Sequence, residues 1–312
     1  MISTKEVAVV GVDWGTTHRR AYALDANGAC INTLADSEGA MACKGRFGPA
    51  LGAAMQQLQA APPLVVLSGM VGSALGWHEV PYVDHSVALD ALPAHLFAVP
   101  DAPTAARCVI VPGYCIRDQH GQPDVMRGEE TQLLGAVAQG HHSGWFVLPG
   151  THSKWVELDH GRIVQLRTYM TGELFNLLGQ HGTLAAAIGK GAPVWDAAAF
   201  ADGVHAAGKG ALSHQLFSCR ARVVSGDMPA ASSQAYLSGL LIGSELHDVL
   251  RSPDGSRSMH TTTTSKLIGS PELAQHYQAA AEQLDVAFEV LDAKAAFLAA
   301  MTHIQSATQQ HP

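Results

Sequence analysis

One pattern constrains the fold more than any other, because the chain uses it twice. The stretch "VGVDWGTTHRRAYAL" starts at Val10. The β-branched run Val7 to Val12 reads as a buried strand. It ends in Asp13, Trp14, Gly15, Thr16 and Thr17, and Arg19 to Leu24 is again extended and alternating. A dinucleotide-binding unit would open a helix here; this chain turns back into the sheet. Asp25 to Gly28 ("DANG") turns it once more, so residues 7–34 predict three successive antiparallel strands. The second copy lies in "WFVLPGTHSKWVELDHGRIVQLRTYM". Trp145 to Leu148 is apolar, Gly150 and Thr151 turn the chain, and Trp155 to Leu158 is extended; Asp159, His160 and Gly161 then turn it into Ile163 to Thr168. Strand, Gly-Thr turn with a basic residue soon after (Arg19, Lys154), strand, Asp-to-Gly turn, strand: the architecture repeats while the residue identities scarcely do.

Helical patterns follow each copy. The spacing predicts helices over Gly48 to Ala61, stopped by Pro62 and Pro63, and over Gly128 to Gly140, with Leu133, Leu134 and Val137 on one face. "LVVLSGMVGS" reads as a buried strand, Leu64 to Leu67, running into a glycine-bearing loop. After Thr171 the chain is alanine-rich, with helices expected over Gly172 to Ile188, Ser232 to Arg251, Pro271 to Leu284 and Ala293 to Gln305. Short extended pieces interrupt near Lys266 to Ile268 and Ala287 to Leu291. Strands followed by helices, twice over, predict an α/β protein with two lobes.

Bulk properties exclude several classes of function. The chain has 312 residues, 47% hydrophobic and 15% charged, with a net charge of −8. An acidic chain without a basic run argues against nucleic acid or an anionic membrane as main partner. Cys30, Cys43, Cys108, Cys115 and Cys219 are scattered without CxxC pairing, which suits a reducing cytosol. "MISTKEVAVV" lacks the basic-then-apolar plan of a signal peptide, and no apolar run reaches the roughly 18 residues of a membrane span. The expectation is a soluble, cytoplasmic protein. Seventeen histidines form no HExxH or CxxC…HxxxH spacing, and the adjacent pair His141 and His142 points in different directions on any regular element.

The twin turns suggest anion binding. Successive backbone N–H groups in a glycine turn converge into an anion-binding concavity, and threonine hydroxyls add donors. Asp13 beside such a turn would repel a phosphate but can hold Mg²⁺, often through water, and the ion bridges phosphate oxygens. The alternative is an ordinary hairpin with a polar turn. GxGxxG is missing after the first strand, and Gly203 to Lys209 fits GxxxxGK only as a decoy, because Gly210 stands where Ser or Thr is needed and no strand precedes it.

Six segments in this order, "VGVDWGTTHRRAYAL", "SGMVGS…GWHEVPY", "VMRGEETQLLGA", "LPGTHSKWVEL", "TYMTGELFNLL" and "YLSGLLIGSEL", closely resemble the 2-dehydro-3-deoxygalactonokinase family of the sugar kinase, Hsp70 and actin superfamily. The resemblance spans residues 7 to about 300. It implies a two-lobed actin-like (ribonuclease H-like) ATPase fold with an interlobe cleft. Residues 1–127 plus a C-terminal helix from about 293 to 312 would form one lobe, and residues 128–292 the other. The two turns then resemble phosphate hairpins, with Gly15, Thr16, Thr17, Arg19, Gly150, Thr151, His152 and Lys154 at the phosphates of ATP and Asp13 at Mg²⁺ through water. "LIGSPELAQHY" resembles the adenosine-binding segment, with Gly269 at the helix entrance, and "DAKAAFLAAMTHI" the second interlobe helix. Two departures stand out: Ser270 where related kinases often carry a second glycine, and Ala299 or Ala300 at the helix crossing.

Related sugar kinases place an acid directly after a glycine at the start of the helix that carries the base, and Glu129 follows Gly128. Glu129 is therefore the expected base and Glu130 the rival, since adjacent helical residues point about 100° apart. Both could instead be helix-N-terminal acids that stabilise the macrodipole. The family's substrate is a six-carbon 2-keto-3-deoxy acid. Ser68, Met70, Ser73 and loop amides are expected at its hydroxyls, with Trp77 and Tyr82 as walls. Arg127 is the candidate clamp for its carboxylate, through a bidentate fork. Arg19 and Lys154 could meet either phosphates or solvent, and Thr171 and Glu173 could serve only as first-turn helix residues. The implied reaction is ATP- and Mg²⁺-dependent phosphorylation of the terminal hydroxyl of 2-dehydro-3-deoxy-D-galactonate in galactonate breakdown, with a homodimer left open. The alternatives are a phosphohydrolase of the same superfamily acting on polyphosphate or a nucleotide, and a non-enzymatic filament or sugar sensor.

Overall fold

The computed structural model describes residues 6–100, 102–103, 105–188, 195–251 and 264–310. The chain divides into two compact units: Met1–Ser143 with Val156–Leu166 and Leu291–Pro312, and Gly144–Trp155 with Arg167–Val290.

The first unit opens with β1 (Val9–Trp14), β2 (Arg19–Leu24) and β3 (Cys30–Asp36), an antiparallel ribbon joined by tight turns. Next come α1 (Phe47–Leu58), β4 (Leu64–Gly69), β5 (Phe97–Ala98) and β6 (Arg107–Ile110), completing a six-stranded sheet in the order β3-β2-β1-β4-β6-β5. The strand β4 runs parallel to β1 and β6. A hairpin, β7 (Tyr114–Arg117) and β8 (Pro123–Met126), leads into α2 (Glu129–Ala138). Two faces of β1 meet different partners because side chains alternate along a strand. Val10, Val12 and Trp14 pack with Phe47, Leu51 and Met55 of α1, Trp14 and Phe47 edge to face at 5.3 Å.

The second unit repeats the plan. Its part of the chain runs through β9 (Gly144–Leu148), the start of β10 (Ser153–Asp159), the end of β11 (Arg162–Tyr169), α3 (Thr171–Gln180), α4 (Gly182–Ile188), α5 (Ala197–Ala207), α6 (Leu212–Ser225), α7 (Ser233–Leu250), β12 (Ser265–Gly269) and α8 (Pro271–Glu282), while Val156–Leu166 counts with the first unit. Then β13 (Phe288–Asp292) leads to α9 (Ala293–Gln310), all of which belongs with the first unit. The sheet order is β11-β10-β9-β12-β13, with β12 parallel to β9. The expected three-strand repeat is thus present, and in each copy a later strand adds in parallel beside the first.

Glycines decide two of the closest packings. A Cβ on Gly135 of α2 would lie 1.6 Å from the Ala296 carbonyl oxygen of α9, and a Cβ on Gly239 of α7 would lie 2.0 Å from that of Phe200 in α5. Neither helix pair could approach so closely with any side chain there. The GxxxxGK decoy is absorbed by this packing: Gly203 sits inside α5 against Tyr236 of α7 and forms no phosphate loop.

Several expectations need adjusting. The helix expected over Gly172 to Ile188 is two helices, broken at His181 and Gly182, where Gly182 has φ of +78°. The helices α5 and α6 were not expected, and α6 buries only Cys219, so it carries little periodic signal. Where a boundary was expected after Arg127, the chain keeps α2 in the first unit, because α2 packs on α9 through Gly135. Among the described residues, no helix is long and apolar enough to cross a membrane.

Candidate active site

In the first unit three chain segments meet at the ends of β1 and β4 and the start of α2. The parallel register sets Asp13 opposite Ser68 and Trp14 opposite Gly69. Gly69 has φ of +92°, and a Cβ there would lie 2.8 Å from the Trp14 carbonyl oxygen. Gly128, with φ of +113°, abuts Gly69 in turn, a Cβ on it falling 3.2 Å from the Gly69 Cα. Both conformations favour glycine, and together they let the first turn of α2 settle onto the sheet. A hydrogen bond of 2.6 Å between the buried hydroxyls of Ser68 and Thr131 ties the two elements together.

This arrangement separates the two acids of "GEET". Glu130 is fully buried, and both its carboxylate oxygens accept from the Gly128 N–H, at 2.9 and 2.7 Å. Burial first, and the Glu129 charge second, push its pKa up to about 8. Glu129 is only half-buried, and its Oε2 accepts from the Arg127 N–H at 3.1 Å. Arg127 is held on one edge: Nη2 donates to the Val80 carbonyl at 2.7 Å and the guanidinium lies 4.3 Å over the Tyr82 ring. Its Nε and Nη1 are buried with no hydrogen-bond partner among the described residues. A buried donor left unpaired costs free energy, and an acceptor at these two nitrogens would recover it.

Asp13 lies on the sheet face opposite to Trp14. Its neighbour across the hairpin is Arg20, with Nη1 3.5 Å from the Asp13 carboxylate. Burial raises the Asp13 pKa and the Arg20 charge partly offsets this. The turn that follows is closed by the Gly15 N–H donating to the His18 carbonyl at 2.9 Å. A loop after β3 braces it: the Ala40 and Met41 N–H groups donate to the carbonyls of Gly15 and Thr16, and Gly39 has no room for a side chain against Thr17. The turn carbonyls are thereby engaged behind, while Thr16 and Thr17 are exposed.

The turn between β9 and β10 in the second unit is built the same way. Thr151 and His152 are exposed, and the start of α3 braces the turn. A Cβ on Gly172 would lie 2.4 Å from the Gly150 carbonyl oxygen, and the Glu173 N–H donates to the Thr151 carbonyl at 2.9 Å. The Glu173 carboxylate also meets the His152 Nε2 at 2.5 Å. Beside the turn opens a cavity of about 390 Å³, lined by Gly150, Thr171, Trp195, Glu272, His276 and Tyr277 among others. The half-exposed Trp195 stacks on His276 at 4.7 Å and 3°. Ser270 caps α8 by accepting from the Leu273 N–H, and Gly269 sits where a Cβ would lie 3.3 Å from Pro149. A mostly apolar slot with aromatic walls, next to a turn of backbone donors, matches a nucleoside bearing phosphates.

The family described as 2-keto-3-deoxy-galactonokinase matches this chain over residues 13–304. The chain belongs to that family. It is 34% identical over 304 residues to the 2-dehydro-3-deoxygalactonokinase of Escherichia coli (strain K12), covering 96% of this chain and 97% of the relative. It is 36% identical over 298 residues to the protein named Probable 2-dehydro-3-deoxygalactonokinase DgoK1 of Rhizobium meliloti (strain 1021), covering 93% and 94%. A crystal structure assigned to a 2-dehydro-3-deoxygalactonokinase from Sinorhizobium meliloti superposes with a TM-score of 0.86 at 34% identity, covering 96% of both chains. The fold, two compact α/β units, is shared with that structure.

Within the kinase family frame, the expected residues sort by where their side chains go. Asp13, Ser68, Arg127 and Glu129 gather in the first unit; Gly150, Thr151, His152 and Gly269 gather around the cavity of the second. Arg19 departs from expectation. Its guanidinium is buried, donating to Asp36 at 2.6 Å and to the Ala50 carbonyl at 2.8 Å over the Trp14 ring, so it faces the core and not the turn. Lys154 is buried too, with Nζ donating to the Thr168 hydroxyl at 2.9 Å. Ser68 and Ser73 are occupied within the fold, Ser73 closing the Met70–Gly72 turn through the Met70 carbonyl at 2.8 Å. Trp77 stacks on Phe47 and His78. Sequence reasoning missed Arg20, Trp195, His276 and Tyr277, and read Thr171 only as a first-turn helix residue. Strand alternation could have found Arg20, since only one of two adjacent arginines can share a face with Asp13.

Proposed function

We propose that this chain transfers the γ-phosphoryl group of ATP to the 6-hydroxyl of 2-dehydro-3-deoxy-D-galactonate, giving the 6-phosphate in galactonate catabolism. One observation carries the assignment of roles: of two adjacent acids at the start of α2, Glu130 is sealed and capped while Glu129 is half-buried beside Arg127, whose guanidinium holds two unpaired buried donors. Arg127 binds the substrate carboxylate, placing a sugar acid against the residue two positions along the chain. Glu129 accepts the hydroxyl proton as the oxygen attacks the γ-phosphorus and the bond to ADP breaks. The Gly15–Thr17 and Gly150–Thr151 turns give backbone N–H groups and hydroxyls to phosphate oxygens. The cavity beside Thr171 and Tyr277 takes the adenosine.

The residues present fit a magnesium ion. Asp13 offers a hard oxygen donor at a strand end, loosely paired with Arg20 at 3.5 Å and so free to turn to a stronger cation. Magnesium is commonly bound by one or two carboxylates with phosphate and water completing its shell. When bound, the ion neutralises charge on the transferring phosphoryl group. The protein's own residues orient the hydroxyl, accept its proton and exclude water. The family frame and the acidic, CxxC-free chain also support a cytoplasmic location.

ADP release should be measured with 2-dehydro-3-deoxygalactonate, its gluconate epimer and plain hexoses in parallel. Release driven by the galactonate-derived acid supports the reading. Release that ignores the sugar acid would mark a phosphohydrolase instead.

A further inference from the structure

Glu245 of α7 is 1% exposed and takes no part in the chemistry above, yet it is the most densely bonded carboxylate in the second unit's site. Its Oε1 accepts from the Ser153 hydroxyl at 2.7 Å and from the Trp155 indole N–H. Its Oε2 accepts from the Thr171 hydroxyl at 2.6 Å and the Tyr277 hydroxyl at 2.9 Å. These donors come from three separate elements. Ser153 and Trp155 open β10, immediately after the Gly150–His152 turn. Thr171 opens α3, next to the Gly172 that bears on the Gly150 carbonyl, and Tyr277 stands in α8. Thr171 and Tyr277 both line the cavity.

We propose that Glu245 is a positioning residue for the nucleotide, tying the cavity wall to the phosphate turn so that base and phosphates are held in one register. This rests on the reading that the cavity and turn take ATP. The donor pattern supports it. A buried carboxylate is costly unless its lone pairs are satisfied, and every hydroxyl that satisfies this one either touches the cavity or adjoins the turn. Two of its four donors, Thr171 and Tyr277, line the cavity, and Ser153 directly follows the turn, so one carboxylate joins the two. Glu245→Gln keeps the shape but replaces one acceptor oxygen with an amide donor, so at least one bond on that side turns repulsive.

The test measures ADP affinity by calorimetry, together with KM for each substrate, for wild type, Glu245→Gln, Tyr277→Phe and Thr171→Val. Loss of one charge-assisted bond set predicts ADP binding and KM for ATP each weaker by about tenfold in Glu245→Gln. Tyr277→Phe and Thr171→Val should be weaker by about threefold. KM for the sugar acid should stay within about twofold throughout. The two milder variants carry the test if Glu245→Gln does not fold. Unchanged ADP affinity in every folded variant, with only the melting temperature altered, overturns the inference. Equal rises in KM for both substrates overturn it as well. If wild type itself binds no ADP, the nucleotide reading fails first and this inference falls with it.

Discussion

The two hairpin turns solve one backbone problem and then part company. Each is braced from behind by a glycine from the segment that follows the third strand: Gly39 against Thr16 and Thr17, Gly172 against Gly150 and Thr151. In each, a basic residue at or next to the start of the second strand is buried and reaches the end of the third strand, Arg19 to Asp36 and Lys154 to Thr168. What surrounds the turns differs. The first has acids near its strand end and at the helix seated on it, Asp13 and Glu129, which suit a cation and a proton. The second has a histidine and an aromatic slot, which suit a nucleotide. A repeated fold unit thus fixes only where donors point, and the side chains around it decide the ligand.

The sharpest division would be between chemistry in the first unit and binding in the second. Glu129→Gln should lower kcat by about a thousandfold, in the range for loss of a general base, with ADP affinity unchanged by calorimetry. Glu130→Gln should keep most activity, because Glu130 is buried against Gly128. The reverse ranking would exchange the two roles.

Bracing is the next test. A Cβ at Gly172 meets backbone atoms at 2.4 Å and one at Gly39 meets them at 2.3 Å, so Gly172→Ala and Gly39→Ala must each displace a turn. Overpacking of this kind costs about 1–3 kcal/mol, or roughly 5- to 150-fold in ATP affinity if the turn alone absorbs it. Isothermal titration with ADP should show the larger loss for Gly172→Ala, where His152 and the cavity move with the turn. Equal losses would mean that the two turns grip the phosphates alike.

A smaller effect separates the sugar acid from the nucleotide. Arg127→Lys keeps the charge but loses the planar fork, so KM for the sugar acid should rise by about tenfold. KM for ATP should hold. A rise in both would remove Arg127 from the carboxylate and make its stacking on Tyr82 a matter of stability.

The twin ribbons were legible because period-two alternation and tight turns are local signals, and they placed both Gly-Thr turns between the strands where the fold has them. The aromatic slot was not, since Trp195 and His276 lie 81 residues apart (276 − 195) and meet only in the fold. Glu245 was hidden for the same reason, its donors coming from strands and helices far along the chain. The pair Arg19 and Arg20 shows a different limit. Spacing from the turn picked out Arg19, but hairpin register gives it to the core and puts Arg20 beside Asp13. At Glu129 and Glu130 helix geometry alone leaves either acid open and the resemblance favours Glu129, while burial is what separates their environments.

That limit yields the mildest prediction for activity. Arg19 is almost fully buried and its partner Asp36 largely so, with a further bond to the Ala50 carbonyl. Arg19→Met leaves Asp36 without its cation and should cost about 3 kcal/mol of stability, the lower end for breaking a buried pair. Lys154→Met keeps most of the packing of the aliphatic stem and should cost about 1 kcal/mol. Both should change KM for ATP by no more than about twofold, since neither cation faces its turn. Chemical denaturation and steady-state kinetics on the same preparations decide the matter. A large rise in KM for ATP with stability intact would mean that the basic residues swing out to the phosphates. In that case the shared core position would be a resting state, and the two turns would be alike in electrostatics as well as in backbone.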